Sequence, residues 1–233
     1  MSSRLSGPML ELANATPFFE DSGLPPVPLN LRLMPGECMI VETRDMLRAT
    51  MFADLCSGLL PLNNGTVKVC GLDWATLDNR RSNALRGRIG RITRRASWTS
   101  LFGTHVELML RELHHTTRSI EEITSETLRL SEHFGLPGIP VDAARYLSFT
   151  DQARANCVRA FLGSPDLLLL EDPLDGGMVD LSVPFLESLT AARDRGAAAL
   201  WFVRDASTWQ PYRETVSAQW RLADDGLITV RMR

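Results

Sequence analysis

Lysine is almost missing from this sequence. The chain has 233 residues and 25 basic side chains of the lysine and arginine types, and Lys68 is its one lysine. The other basic side chains are arginines, whose planar guanidinium group does not reproduce the compact charge of a lysine ammonium. Any mechanism that requires a lysine must therefore use Lys68.

Long apolar segments are also lacking. The longest apolar runs, such as residues 197–203, fall far short of the roughly 20 residues that a membrane-spanning helix needs. The first ten residues, MSSRLSGPML, have no apolar stretch of the kind found in signal peptides. We therefore expect a cytoplasmic protein that reaches a membrane only through a partner.

The sequence has neither an excess of positive charge nor a paired cysteine motif. Its formal net charge is −3, which argues against a nucleic-acid partner. The cysteines lie among apolar neighbours without a Cys-x-x-Cys pair, so we expect reduced core residues and no metal site. They are Cys38, Cys56, Cys70 and Cys157.

Seven arginines cluster, and we interpret them as a solvated or partner-facing patch. They are Arg80, Arg81, Arg86, Arg88, Arg91, Arg94 and Arg95.

The chain does contain an alternation of predicted strands and helices. Short apolar runs and polar–apolar alternation predict strands, and apolar residues at spacings of three and four predict helices. The predicted strands are residues 29–34, 38–41, 66–71 after a turn at Asn64-Gly65, 167–170 and 197–203, with a closing hairpin around Asp225-Gly226. The predicted helices are residues 46–60, 151–162 and 183–193, with a mainly helical stretch at 105–146. This order predicts an α/β fold with a mostly parallel sheet.

Taken in order, several of these segments resemble the ATPase domain of ABC transporters. The segments are MPGECMIVE, CSGLLPLNNGTVKVCGLD, RGRIGRI, YLSFTDQARANCVRAFLGSPDLLLLEDP and LADDG, and the resemblance covers nearly the whole chain from about residue 10. It implies one domain over residues 1–233 with a P-loop NTPase-like core and an antiparallel β subdomain. The core would comprise about residues 10–95 and 147–233, and a helical subdomain about residues 96–146.

The stretch that matches the family's P-loop is TRDMLRAT. A P-loop uses glycines so that backbone N–H groups can surround the phosphates, a lysine that reaches them and a hydroxyl that holds Mg²⁺. Thr43, Met46 and Arg48 replace the glycines, Ala49 replaces the lysine, and Thr50 alone keeps its type. We expect the side chains of Met46 and Arg48 to obstruct the close backbone approach that glycine permits.

The other nucleotide motifs depart from the family pattern as well. The Q-loop glutamine aligns with Arg94 and the switch histidine with Arg204. Of the signature LSGGQ, Ser148 remains, but both glycines are lost. Phe19 stands where the family places an aromatic residue on adenine, although an aromatic residue in this position is more often part of the core.

The Walker B motif keeps both of its carboxylates in reversed order. Four leucines precede Glu171 and Asp172, where the family has aspartate for the metal and then glutamate as general base. A positioning error near 1 Å can cost on the order of a hundredfold in rate. Carboxylates at the end of a strand also cap the next helix or pair with an arginine, and we favour that structural interpretation.

The resemblance and its departures together predict an ABC-type subunit that does not hydrolyse ATP, with no cofactor expected or MgATP bound only weakly. By resemblance, a groove at about residues 94–106 receives the coupling helix of a membrane permease. The candidate groove contacts are Arg94, Trp98, Leu101 and Phe102, although they could equally pack the subdomain core. Further partners would be an intact ABC ATPase paralogue or a second copy of the chain. The segment EDPLDGG is similar to ABC subunits of bacterial lipid-trafficking systems.

Two alternatives remain open at this point. The chain could be an active ATPase that uses Thr50, Glu171 and Asp172 around Mg²⁺, with an arginine on the phosphates. It could also be a soluble interaction module that has no role in transport.

Overall fold

A six-stranded, mostly parallel sheet forms the centre of the fold. The computed structural model describes residues 7–18, 23–94, 98–99, 102–174, 179–205, 207 and 209–230. The strands of this sheet lie in the order β10, β9, β3, β8, β7, β6, and β10 alone runs antiparallel to its neighbour. They are β3 (Cys38–Glu42), β6 (Ile89–Ile92), β7 (Leu167–Glu171), β8 (Ala198–Val203), β9 (Ala218–Ala223) and β10 (Gly226–Val230).

A second, antiparallel sheet has four strands in the order β2, β1, β4, β5. They are β1 (Leu10–Pro17), β2 (Leu29–Leu33), β4 (Leu62–Val69) and β5 (Leu72–Asp73). The fold is therefore α/β with a mostly parallel main sheet and an antiparallel β unit, as the sequence predicts.

The predicted turn at Asn64-Gly65 is wrong. Both residues lie inside β4, opposite a register irregularity of β1 around Asn14. Gly65 has φ of +81°, and a Cβ atom there would lie 2.0 Å from the carbonyl oxygen of Asn14, so glycine is needed for close strand contact. The chain reverses later, at Cys70 and Gly71, where both φ values are positive as in the favoured two-residue hairpin turn.

Six α-helices occur among the described residues. They are α1 (Met46–Cys56), α2 (Asn79–Arg86), α3 (Thr104–His115), α4 (Ile120–His133), α5 (Phe149–Phe161) and α6 (Val179–Asp194). Helices α3 and α4 account for most of the predicted helical stretch, and α4 begins with a capping box between Ser119 and Glu122. The polar helix α2 was not predicted, because NRRSNALR has no apolar stripe.

The two faces of the main sheet bury two separate cores. Successive residues of a strand point to opposite faces, so the apolar runs of β7 and β8 serve both. Leu168, Leu170 and Trp201 pack towards the helices α3 to α6. Leu167 and Leu169 pack towards α1 and the antiparallel sheet. This double burial holds the carboxyl ends of β3 and β7 in fixed relation.

Three of the four cysteines lie in the core, as the sequence predicts. All four are free thiols, and three are fully buried, whereas Cys70 is half-buried. Burial raises the pKa of Cys38 and of Cys157 to about 12 and that of Cys70 to about 11. Among the residues that the structure describes, no group of three or more His, Cys, Asp or Glu side chains could hold a metal ion.

No helix in the described part of the chain is both long enough and apolar enough to span a membrane.

Candidate functional site

The candidate site comprises a cleft where β3 and β8 end and α1 begins, and a polar network around Glu171 at the end of β7. A cleft of about 670 Å³ opens at this edge of the main sheet. Its lining is highly charged and comes from the β3–α1 connection, the residues after β8 and the β9–β10 turn. The charged lining residues are Glu42, Arg44, Asp45, Arg48, Arg204, Asp205, Arg221 and Asp224. Acidic and basic side chains are equal in number, so the cleft is not a simple anion-binding surface.

The amino terminus of α1 is occupied by an anion from the chain itself. Asp45 caps the helix, and its side chain accepts a hydrogen bond of 2.9 Å from the backbone N–H of Leu47. The N–H of Arg48 donates to the backbone carbonyl of Asp45 at 3.0 Å. Backbone N–H groups at a helix amino terminus are the donors that hold a phosphate in a P-loop. Two of them are satisfied internally here.

Arg48 is held against the opposite wall of the cleft. Its guanidinium lies 2.5 Å from Asp224 in the β9–β10 turn and 3.9 Å from Asp45. The Asp224 side chain is 89% exposed, so the pair is solvated and weak in energy. The pair matters for the shape of the cleft, because the Arg48 side chain crosses space that a P-loop would leave open.

Met46 and Ala49 do not take part in the cleft. Met46 is 3% exposed and Ala49 is fully buried, and both pack in the core between the main sheet and the antiparallel sheet. The expectation that Met46 obstructs the approach of a ligand is therefore wrong, whereas Arg48 does line the cleft. Thr43 is buried, and its backbone N–H donates to the carbonyl of Val203 at 2.9 Å.

A polar network at the carboxyl end of β7 includes the first carboxylate of the stretch that resembles Walker B, and its arginine, Arg91, lines a different cleft, beside β6. The hydroxyl of Thr50 donates to Oε2 of Glu171 at 2.6 Å. Arg91, on β6, donates to the other oxygen, Oε1, from Nε at 2.9 Å and from Nη2 at 2.8 Å. The same guanidinium contacts Asp54 of α1. Glu171 thus pairs with an arginine, as the structural interpretation of strand-end carboxylates predicts.

The second carboxylate, Asp172, lies in a different setting. It is 7% exposed and has φ of +47°, which is uncommon for a residue with a side chain. Its backbone N–H donates to the carbonyl of Phe202 at 2.9 Å, so β7 and β8 stay paired past the end of β7.

The region that matches the ABC signature forms an ordinary helix start. Ser148 caps α5 by accepting the backbone N–H of Asp151 at 3.1 Å, and its hydroxyl donates to the Asp151 carboxylate at 2.8 Å. Asp151 also pairs with Arg154 at 3.1 Å. Phe149, at the first lost glycine, is 72% exposed. Ser148 and Asp151 thus make contacts within the helix start, and an exposed apolar ring lies between them.

A second cleft, of about 680 Å³, lies between β6 and α3 and borders the predicted partner groove. Trp98 is half-buried with the guanidinium of Arg159 4.4 Å above its ring. Phe102 is 49% exposed and Arg94 is exposed. Leu101, like the predicted adenine contact Phe19, lies outside the described residues. Arg204 is exposed in the first cleft, far along the chain from this groove.

Arg91, Asp54, Asp45 and Asp224 shape the site but are not among the residues predicted for it. Arg91 was assigned to a solvated or partner-facing patch, which is wrong, because its side chain is 20% exposed and paired with buried acids. A lone arginine in the apolar strand IGRI was the available signal for a buried partner. Asp45, directly before a predicted helix, carries the signal of an N-cap.

Comparison with known proteins identifies the fold. No protein-family model and no curated protein matches the sequence. Among solved structures, an ATP-binding subunit of an ABC transporter matches with a TM-score of 0.79 over 95% of this chain and 90% of that one. Dimeric MJ0796, a bacterial ABC transporter cassette, matches with a TM-score of 0.79 over 97% of this chain and 100% of that one. Its post-hydrolysis state with ADP and Pi gives 0.80 over the same shares. The chain has the fold of an ABC transporter ATP-binding cassette. Each of these pairs shares 17% identity, which supports the fold and leaves activity to the site.

Proposed function

We propose that this chain is a non-hydrolysing ABC-type subunit that serves a membrane transporter as a structural or regulatory component. The observation that carries the proposal is the internal pairing of the groups that would meet a nucleotide. Asp45 takes the helix amino terminus, Arg48 is tied to Asp224, and Glu171 is engaged at both oxygens.

The fold family implies MgATP, and the residues present do not fit it. Ala49 offers no ammonium group to the phosphates and is fully buried, so a longer side chain there would meet the core. The carboxylate of Asp45 would repel a phosphate at the helix amino terminus. Lys68 lies on β4 of the antiparallel sheet, where it pairs in register with Glu11 and Asp73. Arg48, in the first turn of α1, would have to leave its contact with Asp224 to hold a phosphate.

The scaffold supports a role in transport. The cassette fold covers nearly the whole chain, whereas its nucleotide site is degenerate. This combination favours a subunit that acts by binding other proteins. The partner would be a membrane permease whose coupling helix enters the groove that includes Phe102, at the inner face of the membrane. An intact paralogue or a second copy would complete the pair of cassettes. Such a subunit biases the transporter only through contacts that differ between its conformations.

The proposal that the transported substrate is a lipid rests on a single sequence segment. The segment EDPLDGG, which suggested lipid transport, extends into residues 175–177 outside the described part of the chain, so lipid transport stays a prediction. The sequence alone carries it.

Phe102→Glu should release the chain from its membrane partner. An apolar ring that is 49% exposed stabilises a complex when the partner covers it, and a carboxylate placed there would be buried without a counter-charge. In the native host, tagged wild-type chain should sediment with membranes, and the variant should remain in the supernatant.

Leu72→Glu is the matched control, because Leu72 is 45% exposed and lies on β5 of the other sheet. The control should sediment like the wild type. A wild-type chain found wholly in the supernatant would contradict the transporter role, and equal release of both variants would contradict the groove as the contact surface.

A further inference from the structure

The guanidinium of Arg91 is surrounded by oxygen atoms from two other elements of the fold. It donates to Glu171 of β7 from Nε and Nη2, to the carboxylate of Asp54 in α1, and from Nη2 to the backbone carbonyl of Thr50 at 3.2 Å. The hydroxyl of Thr50 completes the group through Glu171 at 2.6 Å. Two carboxylates and a backbone carbonyl thus contact one cation, and the Thr50 hydroxyl lies beside them on Glu171.

The burial of these groups makes the cation necessary. The Glu171 side chain is 1% exposed, and the side chains of Arg91 and Asp54 are 20% and 21% exposed. A buried carboxylate without a counter-charge is costly, and two acids close together add repulsion. Burial alone lowers the pKa of Arg91, but the charges of Glu171 and Asp54 and their hydrogen bonds outweigh it, so the net shift is upward.

The contact also joins distant parts of the chain. Arg91 lies 37 residues from Asp54 and 80 residues from Glu171 in sequence. It fixes the edge strand β6 to its neighbour β7 and to α1, the helix that begins at the first cleft. A guanidinium suits this task because its several donors are fixed in one plane and can reach Glu171 and Asp54 at once.

Oxygen sets of this composition are what hard divalent cations prefer. We propose that Arg91 is the built-in cation of this site, so that the chain folds without a divalent metal there and excludes one. The nucleotide site of the family uses a metal ion, whereas the corresponding site of this chain would use the guanidinium of Arg91. Removing the guanidinium leaves a carboxylate pair with an adjacent hydroxyl and carbonyl, which then takes a divalent cation.

The test compares full-length wild type with Arg91→Met, which keeps a long side chain but no charge. Each protein is measured in EDTA and in millimolar Mn²⁺, without nucleotide, by thermal unfolding and by the electron paramagnetic resonance signal of free Mn²⁺. The wild type should show no metal-dependent change. Arg91→Met should unfold on the order of 10 °C lower in EDTA, as expected when a buried ion pair loses one partner. Mn²⁺ should restore several degrees and occupy one site per chain.

The double variant Arg91→Met with Glu171→Leu is the matched control, because it removes the guanidinium together with the most deeply buried carboxylate and leaves only Asp54, whose side chain is 21% exposed. It should recover stability relative to Arg91→Met and lose the Mn²⁺ response. If Arg91→Met does not fold in EDTA, refolding from urea with Mn²⁺ should raise the folded yield, and the double variant should refold without metal. Equal Mn²⁺ binding by wild type and Arg91→Met, or no metal response in either the unfolding or the refolding of Arg91→Met, would overturn the proposal.

Discussion

Glu171→Gln should lower the free energy of unfolding by about 3 kcal/mol, the lower end of the range for breaking a buried ion pair. The glutamine is nearly the same size, so the loss comes from charge and hydrogen bonding. Glu171 accepts two donors from Arg91 and one from Thr50. A glutamine oxygen could still accept from Arg91, and the Thr50 hydroxyl could rotate to accept from the NH₂ group, but the bonds from Arg91 would lose the negative charge that strengthens them. Urea unfolding followed by tryptophan fluorescence measures the change.

The same variant separates a structural carboxylate from a catalytic one. A metal-binding or general-base residue is expected to lose activity with little loss of stability, whereas Glu171 should lose stability with no turnover to lose. Glu11→Gln is the control, since Glu11 pairs with Arg32 at 3.0 Å and the Arg32 side chain is 70% exposed. That change should cost less than about 1 kcal/mol. Unchanged stability in Glu171→Gln would contradict the buried network.

Gly90→Ala should destabilise the chain by about 3 kcal/mol or more, because overpacking a rigid contact has that effect. A Cβ atom at Gly90 would lie 2.1 Å from the carbonyl oxygen of Ala160 and 2.9 Å from both Leu168 and Pro165. The carbonyl belongs to the backbone of α5 and cannot rotate away. The edge strand β6 would have to move, and Arg91 would move with it.

Gly7→Ala provides the comparison, since a Cβ atom there meets nothing within 4 Å. Urea unfolding should distinguish the two variants clearly. If the destabilisation is larger, Gly90→Ala should give no soluble protein, whereas Gly7→Ala should be obtained in normal yield. Wild-type stability in Gly90→Ala would mean that β6 and α5 are not in close contact.

Much of the fold can be predicted from the sequence, because buried strands and amphipathic helices have local signatures. The leucine run before Glu171 and the apolar run of β8 are buried on both faces of the sheet. Both could therefore be predicted as strands without knowing which strands they pair with. Asn64-Gly65 shows the limit of local signals. The pair favours a turn in isolation, but pairing with β1 keeps it inside β4.

The candidate site could be predicted only in outline. Motif order singles out Thr50 and Glu171, which the structure joins by a hydrogen bond, whereas the assignment of Ala49 to the P-loop lysine stays a prediction. The contacts that close the site join residues far apart in sequence, such as Arg48 with Asp224 and Arg91 with Asp54. Because no local pattern specifies such pairs, Arg91 looked like one member of a surface cluster.

The departures from the family's nucleotide motifs raise the question whether a neighbouring side chain replaces a missing one. Each departure from the family pattern could be compensated by a neighbour, and the structure shows where the neighbours are. Arg48 lies in the first turn of α1 and is bound to Asp45 and Asp224. This arginine is therefore already engaged with acidic side chains of the chain itself.

A calorimetric titration of the purified chain with MgATP tests the central claim most directly. ABC cassettes with an intact P-loop bind nucleotide as single subunits, so a missing partner would not explain a negative result. The account predicts no binding up to millimolar nucleotide, because the helix amino terminus, Arg48 and Glu171 are already engaged within the chain. Clear binding in the micromolar range would contradict it, and would make Arg48, Thr50 and the Glu171–Asp172 pair the residues of an active, variant ATPase site.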